Sequence, residues 1–442
     1  MKRILSDHAY GPIPNQNCFW GPTSVSETVM PAAQGQLRTE VAIVGAGFTG
    51  LNAALGLARA GRDVTILEAQ SPGWGASARN GGFCCLGGSL MSLSQIRKRY
   101  GADGLKEWCR TEVAAVSHVR AFLAENAIDA DTHSNGETTL AHTQRAMKNL
   151  RDSKAEIEDA YGFDTVLDEA ENLPRLGMTS HYHGALTLPN GFGLNPRKYT
   201  DGLSNVSIAA GATICADSPV ISVKPSGQGY RLITPQAEIL TDTVVFATNG
   251  YSSEDVPAWL RGRYMPVQSN VLVTRPMTTQ EISNGWHSDQ MGYTQQTFLH
   301  YFRLLPSGQF LFGMRGGLRS SANNDAAMRR RVKAQFAQAF PMWAHVETPY
   351  SWHGALAFSA KLAPYVGPIP DMPGAFAAFA YHGNGVAMGS YSGALLADLI
   401  LERDSDRSYP EMMRADTPRF PLGRRRRALL APGYAIAALT GR

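Results

Sequence analysis

The sequence predicts a mixed α+β and α/β fold: a discontinuous Rossmann-like domain joined to a second domain built on a mostly antiparallel sheet. Three observations predict it. Near the N-terminus an apolar strand, a glycine-rich turn, a helix and a second apolar strand follow one another within about thirty residues. The same order of strand, glycine turn and helix returns near the C-terminus. Between the two, most apolar residues alternate at strand spacing, with a few long helical patterns.

The chain has 442 residues, 44% hydrophobic, with 44 glycines. At ~100–200 residues per domain this suggests two or three units, and it is too apolar for a disordered chain. Lys plus Arg is 41 and Asp plus Glu is 37, a net charge of +4. A nucleic-acid-binding protein would show a clustered basic face, so that class is excluded as a partner. The five cysteines, Cys18, Cys84, Cys85, Cys109 and Cys215, make neither a disulfide framework nor a metal spacing. His181 and His183 lack an evident third ligand, so no metal is expected. The opening residues lack the apolar stretch of a signal peptide, and no run of apolar residues is long enough to span a membrane. The expected location is the cytoplasm.

Residues 1–37 read as an irregular arm rich in Pro, Gly, Asn and Gln. TEVAIVGAG is a strand buried on both faces, and FTGLNAALGLARAG is a helix that Gly61 closes. RDVTILEA is the second buried strand. Two long helical patterns fill 90–180, with a turn and strand between them, and 181–197 is loop-rich. A helix at NPRKYTDGLSNVSIAAG leads to a strand meander that ends in a buried strand over 243–247. Strands dominate 264–358, interrupted by one helix at about 325–340. AFAAFAYHGNGVAMGSYSGALLADLI then supplies the C-terminal strand, turn and helix. The grouping is 38–90, 181–260 and 360–405 for the nucleotide domain, 91–180 and 261–359 for the second domain, and 406–442 for a tail.

Gly45, Gly47 and Gly50 form a GxGxxG between strand and helix, the context in which that motif cradles a pyrophosphate. Glu68 ends the second strand, where a carboxylate accepts ribose hydroxyls. A second Gly/Ser-rich loop follows at once, GWGASARNGG, able to offer further backbone N–H groups. A nicotinamide dehydrogenase has no need of it.

These motifs resemble the FAD-dependent amine and amino-acid oxidases of the D-amino-acid oxidase family, above all its γ-glutamylputrescine-oxidising members. HYFRLLPSGQFLFGMRGG, KLAPYVGPIPD, AYHGNGVAMGSYSGALLADLI and PRFPLGRRRRALLAPGYAIAAL are similar in order and spacing. The resemblance implies a Rossmann-like FAD-binding domain. Gly45, Gly47 and Gly50 would hold the pyrophosphate, Glu68 the adenosine ribose and Ser77 a phosphate. Arg79, Asn80, Gly81 and Gly82 would line the flavin, Val220 would meet adenine, and Thr248, Asn249 and Gly250 would end a strand beside it. Gly383, Asn384, Gly385 and Val386, at a helix N-terminus, would place N–H groups where charge develops on the flavin. No cysteine follows Cys215, and Arg79 and Asn80 stand where some relatives carry a histidine. FAD is therefore expected to be non-covalent.

The implied reaction moves hydride from a carbon bearing an amine to flavin N5. The imine is hydrolysed and O2 is reduced to H2O2. A dehydrogenase passing electrons to a quinone or carrier, and a non-catalytic FAD-binding scaffold, are the competing readings. Tyr301 and Arg303 are candidates for a carboxylate or hydroxyl at the substrate's far end. Lys361 is a candidate for assisting oxygen, and His382 for touching substrate. Bland readings compete for each: an exposed arginine, a solvated lysine, a packed histidine. Cys84 and Cys85 read as small packing residues. Arg424–Arg427 reads as a solvated face or as tail–body ion pairs. Oligomeric state is left open.

Overall fold

The computed structural model describes residues 1–12, 16–26, 28–178, 181–296 and 298–434. Two large sheets both line one cavity, one mostly parallel and one mostly antiparallel, as the sequence predicts. The first sheet runs Tyr365–Pro368, Ala375–Phe379, Ala237–Phe246, Gly35–Val44, Val64–Leu67, Thr213–Cys215. Four of the five pairings along this order are parallel, and residues 41–44, 64–67 and 244–246 are buried as continuous runs. An antiparallel hairpin, Ser222–Ser226 with Gly229–Ile233, pairs with Ala237–Phe246. The buried strand expected at 243–247 is thus the end of a longer one.

The second sheet runs Tyr350–Ser359, Tyr264–Val273, Phe310–Arg315, His300–Leu304, Met291–Thr294, Glu137–Leu140, Gly184–Leu188, Val166–Glu169. Only the pairing of Met291–Thr294 with Glu137–Leu140 is parallel. Alternation along these strands divides the sheet into two faces. Phe302, Phe310, Phe312 and Leu272 form an apolar face covered by helix Ala322–Ala339 through Val332 and Phe336. Tyr301, Gly313, Arg315 and Ser269 lie on the other face, toward the first sheet. Residues 184–188, grouped with the nucleotide segments on sequence, pair instead with Glu137–Leu140 and Val166–Glu169. Their pattern GALTL is that of any half-buried strand, and periodicity carries no information about which sheet receives it.

Helices Phe48–Arg59 and Ala387–Ile400 cross on one face of the parallel sheet. Glycines permit the close approach: a Cβ on Gly393 would stand 2.2 Å from the Thr49 carbonyl oxygen, and one on Gly56 2.6 Å from Ala397 Cβ. Thr49 Oγ1 donates to Gly389 O at 2.9 Å and meets the Tyr381 hydroxyl at 2.8 Å. The long helix Leu93–Glu125 carries a Ser92–Gln95 capping box and is interrupted at Gly101, whose φ is +78°. No described helix is long and apolar enough to cross a membrane. The last part of the tail, 435–442, with most of its GYAIAAL stretch, lies outside the described residues.

Candidate active site

A cavity of about 510 Å³ opens at the C-terminal ends of the parallel strands, where Val44, Leu67 and Ala247 line it. This is the edge at which α/β sheets bind ligands. The turn after Val44 is shaped for close approach. Gly45 has φ +106°, and a Cβ there would stand 3.0 Å from Ala247 O; one on Gly47 would stand 2.8 Å from Ser77 Oγ. Helix Phe48–Arg59 begins at Gly47 with no side-chain cap, and helix Ala387–Ile400 begins at Val386 with none either. Both N-termini open on the cavity, so two sets of helix N–H donors face one chamber. Ser77 Oγ accepts the Phe48 N–H at 3.0 Å, which leaves its own hydrogen to donate.

Glu68 also lines the cavity. Ala46 N–H donates to its Oε2 at 2.7 Å and Gln70 N–H to its Oε1 at 3.1 Å, and burial pushes its carboxyl up. Val220, Thr248 and Asn249 line the same end. The strip 79–81 is fixed from behind through three successive carbonyls. Trp352 Nε1 donates to Arg79 O at 2.7 Å, Trp20 Nε1 to Asn80 O at 2.9 Å and Arg303 Nε to Gly81 O at 2.9 Å. The Arg79 guanidinium is itself committed, to Gly75 O and the Tyr251 hydroxyl, and lies over the Trp74 ring. Gly383, Asn384, Gly385 and Val386 line the cavity, and the Asn384 side chain donates to Leu86 O, tying two lining loops together. A glycine cradle, two uncapped helix N-termini and a carboxylate at the ribose position suit a dinucleotide, and FAD fits this donor set.

Three of the expected cofactor glycines do not reach the cavity. A Cβ on Gly50 would stand 1.9 Å from Gly45 O, so that glycine lets the helix pack on its own turn. Gly82, with φ +72°, makes room for Arg303 and for Leu194 O, and Gly250 packs on Ala355 O.

The expected substrate residues divide. Tyr301 lines the cavity, its hydroxyl 2.9 Å from Ser269 Oγ, and burial pushes it up to about 12. Arg303 does not line it: the guanidinium is 1% exposed and donates to Gly81 O and Leu194 O, with His133 Nε2 at 3.2 Å. It is a framework residue rather than an exposed one. Lys361 is buried too, donating to Ala415 O at 2.6 Å and Met413 O at 3.3 Å, outside the cavity lining. His382 reaches the cavity with both ring nitrogens engaged: Nδ1 donates to Gly88 O at 2.9 Å and Nε2 accepts Ser359 N–H at 3.2 Å. Burial holds it down at about 4, and its ring hydrogen and lone pair are both already committed to the backbone.

Among the charged lining residues that escaped the sequence reading are two from the second sheet. Arg315 Nη2 donates to His382 O at 2.8 Å, and no ion pair engages it among the described residues. Alternation in FLFGMR places it on the face of Gly313 and Tyr301, a signal the sequence did contain. Glu137 is the other. Cys84 is buried, and the neighbouring Cys85 lines the cavity.

A family model described as FAD dependent oxidoreductase (DAO) matches residues 40–399. The chain belongs to this family. Among its DAO relatives, a probable oxidoreductase OrdL of Rhizobium meliloti (strain 1021) is 28% identical over 417 residues, covering 93% of this chain and 94% of that one. The γ-glutamylputrescine oxidoreductase of Escherichia coli (strain K12) is 26% identical over 368 residues, covering 82% and 84%. A crystal structure of glycine oxidase from Geobacillus kaustophilus superposes with TM-score 0.68 at 20% identity, covering 84% of this chain and 96% of that one. At that identity the likeness is one of fold. DAO membership makes the chain an FAD-dependent oxidoreductase.

Proposed function

We propose that the chain oxidises a C–N bond of an amine or amino acid, with a γ-glutamylputrescine-like substrate favoured, and holds FAD non-covalently. One observation carries the reading: a single cavity joins the dinucleotide turn at Gly45–Phe48, the Gly383–Val386 loop and the unpaired guanidinium of Arg315. Bound FAD would supply the hydride acceptor, the substrate leaving as an imine that water hydrolyses while O2 takes the electrons to give H2O2. The chain's own residues bind, orient and enclose. Arg315 presents a half-buried fork of donors suited to a carboxylate, and Tyr301 offers a hydroxyl on the same sheet face. Neither His382 nor Lys361 is placed to move a proton. Cys85, whose thiol burial pushes well up, stays protonated and is no nucleophile toward a flavin.

The purified protein is tested in air for H2O2 release with γ-glutamylputrescine, putrescine, sarcosine, glycine and proline. The expected result is peroxide from at least one of them, and flavin that stays in the supernatant when acid precipitates the protein. Flavin that co-precipitates would overturn the non-covalent assignment. Amine oxidation that proceeds only with an added quinone would replace the oxidase by a dehydrogenase.

A further inference from the structure

The chamber that holds Arg315 also holds a carboxyl group with no cation beside it. Glu137 comes from strand Glu137–Leu140, is 2% exposed and lines the cavity. Leu86 N–H donates to its Oε1 at 3.2 Å, and Cys85 of the lining loop lies within electrostatic reach of it. Behind it lies Glu112 of helix Leu93–Glu125, also buried, accepting the Tyr161 hydroxyl at 2.5 Å. The titratable groups that act on or feel Glu137 are Cys84, Cys85, Glu112, Tyr161 and Tyr293. Among the described residues no lysine, arginine or histidine forms an ion pair with it. Cys85 is within electrostatic reach of Glu137 on one side and of Arg315 on the other. Acid, thiol and guanidinium thus follow one another along the wall of one chamber.

A buried carboxyl among acids and thiols is ionised only at a cost while no cation stands beside it. A ligand that brings the missing positive charge removes that cost. Resting on the amine-oxidising reading above, we propose that Glu137 is the amine-side anchor of the substrate, receiving its nitrogen while Arg315 receives a carboxylate, so that the substrate carries both groups. A substrate ammonium ion meeting ionised Glu137 passes one proton to it. The N–H bond breaks, an O–H bond forms on the carboxyl, and the nitrogen keeps its lone pair, as hydride loss from the adjacent carbon requires. Burial and the neighbouring Glu112 push Glu137 up to about 8 before substrate binds. In the empty site Glu137 is ionised, and able to receive an ammonium, only above that pH. Glu112 titrates at about 7 outside the cavity lining, and Cys85, Tyr161 and Tyr293 are pushed upward and stay protonated through this range.

The test uses the flavin-loaded protein and Glu137→Gln, which keeps an oxygen for the Leu86 N–H. Two readouts are compared: anaerobic flavin reduction by the best amine of the panel above, and the shift of the visible spectrum on titration with propanoate, which has the carboxylate and no amine. The expected result is amine affinity weakened by about tenfold or more and propanoate affinity within about twofold of the parent. The rise in amine affinity through pH 8 disappears in Glu137→Gln and returns in Glu137→Asp. Unchanged amine affinity and pH profile in Glu137→Gln would overturn the proposal while leaving amine oxidation standing. Equal weakening of amine and propanoate, with flavin content unchanged, would reduce Glu137 to a packing role. A parent protein whose flavin no amine reduces would overturn the amine-oxidising reading and the anchor with it.

Discussion

Arg303 and Arg315 lie on neighbouring antiparallel strands and share a face, yet they do different work. Arg303 is opposite Leu311 in the ladder and reaches back to the carbonyls of Gly81 and Leu194. Arg315 is opposite Ser269 and reaches the cavity. Arg303→Met leaves two buried carbonyls without donors, at about 1–3 kcal/mol each, and frees the 79–81 strip. Its expected phenotype is a lowered melting temperature with reduced flavin content. Arg315→Met leaves the fold and the flavin in place and weakens propanoate binding by about tenfold or more. Thermal melts and propanoate titrations of the two variants check this; a stable, flavin-replete Arg303→Met with weakened propanoate binding would exchange the roles. The sequence made Tyr301 and Arg303 candidates because both stand in the strand HYFRLL with side chains suited to a carboxylate or hydroxyl. It could not rank Arg303 against Arg315, because the ranking depends on Leu194 and Gly81, which only the tertiary fold brings near.

The helices that carry the two anion cradles were legible as elements, because each joins an apolar strand, a glycine turn and a long apolar helix. Their crossing was not, since it depends on Gly56 and Gly393 meeting partners hundreds of residues away. The arginine run of the tail is similar. Its composition suggested either a solvated face or ion pairs, and the fold divides the run, with Arg424 and Arg425 exposed and Arg426 and Arg427 buried. Arg426 pairs with Glu254 at 2.6 Å and donates to Tyr264 O, both side chains buried, while Arg427 donates to Pro266 O and Gly317 O. Arg424 donates to Arg3 O, so the tail also fastens the N-terminal arm. Removing one partner of a buried pair strands the other: Arg426→Met is expected to cost about 3–5 kcal/mol in urea unfolding. Combining it with Glu254→Gln should return part of that loss. A double variant no better than the single would show that the hydrogen bond to Tyr264 O, rather than the ion pair, holds the tail.

At the scale of the whole molecule, one sheet supplies the dinucleotide cradle and the other supplies the chamber that faces it. The sequence separated the two kinds of sheet, because buried parallel strands read as continuous apolar runs and the others alternate, but it put residues 184–188 with the wrong one. It could not show that Glu137, Tyr301 and Arg315 share a wall with Gly383. That wall comes from the pairing of strands far apart in the chain, the parallel join of Met291–Thr294 to Glu137–Leu140 among them. The central claim is that this shared cavity delivers an amine to a bound flavin. The most direct measurement is the visible spectrum of the purified protein under anaerobic titration with γ-glutamylputrescine and the other amines, followed by readmission of air. The account predicts a yellow protein whose flavin band is bleached by at least one amine and recovers in air. A flavin band that none of them bleaches, or a colourless protein that FAD cannot reconstitute, would contradict it.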